Sequence, residues 1–256
     1  MIAIIYEGER TEATIFKNIN NLFFNSGKDF VLVKFGKESC VGAPFCGNIY
    51  NLYNKIKTLG EYVDVIELIR ARLDDLDIEN PLKAYSRDNF SEVYLFFDSD
   101  LQNKDECDLD IISEMLSLFN NETDLGKLYI NYPMVESLKD CSNDVNCYYN
   151  GCIVNQDDFS NYKSIVNNRS KFKDVRKYNE DTWKLFFKCS CSKANCIVNN
   201  KCCKPRYSDY MINIQQKDIF NAQKKQFTAY GNIYILSSIP LFLLEYFGEK
   251  RWDEFL

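Results

Sequence analysis

A chain of 256 residues that is 46% hydrophobic is long enough to bury a full core, as one large domain or one domain with a smaller lobe. It contains no histidine, which excludes Ser-His-Asp and Cys-His triads, histidine-ligated zinc hydrolases and imidazole acid–base pairs. Its net charge of -6 conceals a split, because twelve lysines and arginines face only three acids between Asn161 and Arg206.

In chain order, Ile2–Tyr6 reads as a buried strand, followed by a turn at Gly8 and a helix near Glu12–Phe24 with Ile15, Phe16, Ile19, Leu22 and Phe23 on one stripe. Phe30–Phe35 reads as a second strand. A helical stretch follows over about 36–90, with helical spacing at Ile49–Leu59 and Val63–Leu76 and a stop at Pro81. Val93–Phe97 is a third strand, Ile111–Phe119 the helix after it and Lys127–Tyr132 a fourth strand. Strands alternating with helices predict a parallel, layered α/β sheet. Beyond about residue 140 the pattern changes to Asn and Asp loops, cysteine clusters and short aromatic helices, so a lobe boundary is placed there. Ile233–Phe247 reads as a buried strand and then a Ser-capped helix starting near Pro240. It is too short to span a bilayer. With Glu7 and Glu9 interrupting the N-terminal apolar run, no signal peptide is expected, and the reading is a cytoplasmic protein without membrane contact.

Acids collect where these strands give out: Glu7, Glu9 and Glu12 after the first, Asp98 and Asp100 after the third, and Glu136 shortly after the fourth. Ligands gather at the carboxyl ends of parallel strands. Carboxylates crowded there repel one another unless protons or a divalent cation neutralise them. The cation such oxygen donors suit is Mg²⁺ or Mn²⁺. Each cluster has a plainer reading. Asp-x-Asp occurs in ordinary surface turns, and Glu7–Glu12 could be a helix N-terminus, its acids favoured by the helix dipole and Thr11 as cap. Arg70, Arg72 and Lys83 could meet phosphates, although helix-surface charge is the favoured reading.

The pattern Glu-Gly-x-x-x-Glu after an N-terminal strand, with Asp-x-Asp after a later one, resembles the toprim fold of topoisomerases, primases and OLD-family nucleases. The hexapeptide from Glu7 to Glu12 is most similar to the RloB-like subset, associated with bacterial phage-defence and restriction loci. The resemblance covers about residues 1–140 and implies a toprim (Rossmann-like) catalytic domain there; the helical stretch at about 36–90 reads as an insertion in it, and residues 141–256 as a Cys-rich, basic, mostly helical lobe. It implies Glu7 as general acid or base, Asp98 and Asp100 as the Mg²⁺-binding pair, and Glu12 as a further metal ligand or water orienter. Glu136 matches the glutamate of an Asn-Pro-x-x-Glu motif, here one residue longer (Asn131 to Glu136). The implied function is a Mg²⁺-dependent nuclease acting in anti-phage defence with a partner ATPase, and a homodimer. The alternatives are a phosphatase or nucleotidyltransferase using the same acids, or a catalytically silent binding subunit.

The basic segment carries the nucleic-acid reading, with Lys171, Lys173, Arg176 and Lys177 as phosphate contacts. Eleven cysteines without regular spacing do not suggest a secreted disulfide framework. Cys189, Cys191, Cys196 and Cys202 are dense enough for a structural zinc knot, but they lack paired C-x2-C hooks. Thiols in a polar loop, reduced or oxidised on storage, are the favoured reading.

Overall fold

The computed structural model describes residues 1–8, 10–24, 30–35, 48–60, 63–75, 80–99, 101, 109–141 and 152–256. Its first strand, β1 (Ile2–Tyr6), is buried at every position. A strand covered on both faces shows a continuous apolar run rather than alternation, and the sequence carries that signal here. After it comes α1 (Thr11–Phe23), which buries Ile15, Phe16 and Ile19, and then β2 (Phe30–Lys34). β1 pairs parallel with β2, Tyr6 opposite Lys34, and on its other side parallel with β3 (Glu92–Asp98), Tyr6 opposite Phe96. Phe16 of α1 lies 4.7 Å, centroid to centroid, from the Phe96 ring, so helix and strand share one aromatic contact.

Between β2 and β3 stand α2 (Asn48–Leu59) and α3 (Val65–Asp75). The Asp64 carboxylate caps α3, accepting from the Ile66 and Glu67 N–H groups at 2.9 and 3.3 Å. Pro81 opens a short 3-10 turn whose first N–H partner is the Asn80 side chain. Arg70 and Lys83 are engaged locally: Arg70 donates to the Tyr85 carbonyl and pairs with Glu67, and Lys83 pairs with Asp74 at 3.2 Å. After β3 come α4 (Leu109–Leu118), a two-residue β4 (Asn120–Asn121) and β5 (Gly126–Asn131), antiparallel to β4. The strand order β2-β1-β3-β5-β4 makes a five-stranded, mostly parallel sheet of an α/β protein. The short β4 gave no signal in the sequence.

By compactness the chain falls into two units, Met1–Phe97 with Asp105–Leu128, and Asp98–Lys104 with Tyr129–Leu256. The division therefore passes through β5, earlier than the boundary expected near residue 140. The second unit is mostly helical: α5 (Tyr162–Arg169), α6 (Glu180–Asn199), α7 (Tyr207–Asn213), α8 (Gln216–Tyr230), α9 (Ile239–Phe247) and α10 (Glu249–Phe255). It also holds a small antiparallel ribbon of β6 (Ile153–Asn155) and β7 (Asn232–Tyr234). α9 begins where expected, with Ser238 at its cap position and Pro240 in the first turn. The Ser238 hydroxyl, however, donates to Asn131 Oδ1 at 3.1 Å instead of capping. No helix among the described residues is long and apolar enough to cross a membrane.

The longest helix corrects the expected polar loop. Cys189, Cys191 and Cys196 lie inside α6, which Asn179 caps through the Thr182 N–H at 2.9 Å and Asn200 closes in the left-handed conformation at φ 55°. Small, buried cysteines behave there as modest hydrophobes on a packed helix. Burial pushes the Cys191 thiol up, and Cys203 beyond the helix is exposed. Iodoacetamide is accordingly expected to label Cys203 in the native protein and to reach Cys189 and Cys191 only in denaturant, with peptide mapping as the readout.

Candidate functional site

In the first unit, β1 hands over to Glu7, and the chain turns at Gly8 and enters α1, with Glu12 in its first helical turn. Both glutamates are buried, at 5% and 4% exposure. Glu12 folds back over the turn, and its Oε1 accepts the Gly8 N–H at 3.0 Å. Thr11 is not the cap. It is the first helical residue, Arg10 holds the cap position without a side-chain bond, and the carboxylate of Glu12 satisfies a donor just ahead of the helix.

The need for glycine at position 8 is one of space. A Cβ there would lie 2.1 Å from Glu12 Oε1 and 2.4 Å from its Cδ, so the carboxylate rests where any side chain would begin. Gly8→Ala is expected to fold, since a side-chain end can swing away, but to displace the Glu12 carboxylate and lose its bond. The expected loss is about 1–2 kcal/mol in urea unfolding. A Glu12→Ala, Gly8→Ala double variant should then lose little more than Glu12→Ala alone.

In the second unit, Asp98 closes β3, and its Oδ1 accepts the Val135 N–H at 2.9 Å. Ser99, also buried, shares its N–H between the carbonyls of Asn131 and Pro133, each at 3.1 Å, and its hydroxyl donates to Pro133 O at 3.0 Å. These bonds fasten the Asp98-Ser99 turn to the segment leaving β5, which carries a cis Tyr132-Pro133 peptide. Asn131 is fixed in turn, its Oδ1 accepting from the Ser238 N–H and hydroxyl, each at 3.1 Å. Glu136 follows in a 3-10 turn (Val135–Leu138), 3% exposed, with Lys163 Nζ at 3.4 Å from Oε1.

Two residues beside this turn escaped the sequence reading. The hydroxyls of Tyr132 and Ser137 are buried and make no hydrogen bond, an uncommon state for polar atoms inside a protein. Burial also holds the Tyr132 hydroxyl well above the usual tyrosine range. Only their nearness in sequence to Glu136 could have drawn attention to them.

β1 and β3 run parallel, in register from Ile2 opposite Glu92 to Tyr6 opposite Phe96, and Glu7 follows directly on β1. Asp100 lies outside the described residues. Carboxylate oxygens without imidazole or thiolate have the donor chemistry that suits Mg²⁺ or Mn²⁺. Among the described residues, however, no three acidic or cysteine side chains gather closely enough to hold a metal ion, so the described carboxylates alone do not complete a site.

The same holds for zinc. Cys196 is joined to Cys202 in a disulfide, Cys191 is buried along the helix, and Cys189 hydrogen-bonds with the Cys141 thiol. The four cysteines expected as a zinc knot are not gathered: α6 spaces Cys189, Cys191 and Cys196 along its length, and Cys202 beyond it is bonded to Cys196. Lys171, Lys173, Arg176 and Lys177 are all exposed in the stretch leading into α6. Arg176 is already occupied, Nε and Nη2 lying 2.9 and 3.1 Å from the two oxygens of Asp174. That guanidinium holds the Asp174 carboxyl below the usual carboxylate range. Compared with family models, curated proteins and solved structures, the chain has no significant match to any of them.

Proposed function

We propose that this protein is a divalent-cation-dependent phosphodiesterase of nucleic acids, with a toprim-like centre at the carboxyl edge of β1 and β3. The observation that carries this reading is the burial of Glu7 and Glu12 directly beyond the carboxyl end of β1, a strand with parallel partners on both sides. Burying carboxylates is unfavourable by several kcal/mol unless hydrogen bonds or a cation compensate. A sheet edge that collects them is a place where compensation by a bound cation would serve chemistry.

Glu7, Glu12, Asp98 and Asp100 are the residues that would hold the ion. A bound Mg²⁺ would supply charge stabilisation at a phosphoryl oxygen and a more acidic water. The chain's own contribution is rigid placement: Glu12 is held against Gly8, and Asp98 is held by Val135 N–H. Exposed Lys171, Lys173 and Lys177 would attract the phosphate backbone, with Arg176 reduced in that role by Asp174. Glu136, with Lys163 as its partner, is a supporting acid more than a ligand in this reading.

Purified protein incubated with end-labelled single-stranded DNA, duplex DNA and RNA in Mg²⁺ or Mn²⁺ should shorten at least one of them, and EDTA should stop it. Intact substrates under every condition, or cleavage that persists in EDTA, would remove the proposal. Turnover of nitrophenyl phosphate with no nucleic-acid cleavage would replace it with a small-substrate phosphatase.

A further inference from the structure

In the second unit, a stripe of α6 at helical spacing (Lys193, Cys196 and Ile197, then the cap Asn200) faces a cavity of about 180 Å³, lined otherwise among the described residues by Cys152, Tyr234 and Ile235. That wall is stiff. Gln223, fully buried, clamps the Tyr234 backbone by donating to its carbonyl at 2.8 Å and accepting its N–H at 2.9 Å. The Ile235 N–H donates to the Cys152 carbonyl at 2.7 Å, and Cys196 is fastened to Cys202.

Lys193 is 5% exposed and is the one charged residue among the described residues of this wall. It forms no ion pair or hydrogen bond with any carboxylate of the described residues. The side chain that feels its charge is the Cys141 thiol, which its hydrogen bond to Cys189 and its burial hold protonated, so it provides no countercharge. The cavity is where a carboxylate can reach this otherwise enclosed lysine.

We infer that the cavity binds a small organic monocarboxylate, its carboxylate on Lys193 and its apolar body against Ile197, Ile235 and Cys152. One lysine matches one negative charge, whereas a phosphate dianion calls for more donors than this wall offers. The volume suits a body about the size of a benzene ring. A wider groove of about 570 Å³ shares Ile197, Asn200 and Tyr234 with the cavity but also carries Asp218, so the inner cavity is the part that favours an anion.

The test is isothermal titration of the intact protein with benzoate, benzyl alcohol and inorganic phosphate, repeated on Lys193→Met. Methionine keeps most of the length of the side chain and removes the charge, so the variant should fold. Benzoate should saturate one site per chain, with affinity about tenfold or more lower in the variant and for benzyl alcohol. The inference is overturned if benzoate does not saturate the parent, binds the variant equally, or is outcompeted by phosphate. None of these readouts depends on cleavage of nucleic acid.

Discussion

Glu7→Gln and Asp98→Asn are each expected to lower divalent-cation-dependent cleavage of nucleic acid by about 100-fold or more, with the fold intact. Both substitutions preserve shape and remove one negative charge. Glutamine at position 7 keeps the size of the buried side chain and an oxygen that can accept a hydrogen bond, so the fold should hold. Asparagine at position 98 keeps an oxygen that can accept the Val135 N–H, so the turn after β3 should hold. Loss of activity at constant urea midpoint therefore isolates the charge from the architecture. Arg176→Ala serves as the contrast. Its guanidinium is satisfied by Asp174, so the substitution should alter cleavage less than a Lys171→Ala, Lys173→Ala pair, whose effect should shrink as salt rises. Cleavage surviving both acid substitutions would take those residues out of the chemistry.

The parts of the fold legible in the sequence are those with an unambiguous physical signature. β1 and β3 are buried on both faces and therefore appear as unbroken apolar runs, and α1 and α3 carry their buried residues at helical spacing. The elements that escaped are defined by partners distant in sequence. The two-residue β4 exists through its pairing with β5, and β6 finds β7 across the helices from α5 to α8. Cysteine density between Cys189 and Cys203 suggested a loop, whereas Cys189, Cys191 and Cys196 continue a helix that carries Trp183, Phe186 and Phe187 at helical spacing. Within the candidate site, the positions of Glu7, Glu12 and Asp98 at strand ends could be read from motif and strand alone. The close rest of Glu12 on Gly8, the Val135 bond to Asp98 and the orphan hydroxyls of Tyr132 and Ser137 could not, since each depends on how the chain folds back.

That helix also carries the largest expected effect on stability. Trp183 is fully buried and meets Tyr178 and Phe186 edge-on, with centroids at 6.3 and 5.6 Å, and Phe187 at 5.9 Å. Phe187 continues the cluster to Phe255 at 4.6 Å, where Arg251 lies over the Phe255 ring. Truncation to alanine removes the transfer energy of an indole and leaves a void that neighbouring rings, braced edge to face, cannot easily fill. Trp183→Ala should therefore destabilise the second unit by about 3–5 kcal/mol. Trp252, the other tryptophan of the chain, remains as the fluorescent reporter of urea unfolding. Ile212→Ala, at a side chain 74% exposed on α7, should stay within about 0.5 kcal/mol of the parent. A loss below about 1 kcal/mol for Trp183→Ala would mean that the aromatic cluster does not hold α6 in place, and the helical packing of the second unit would need a different account.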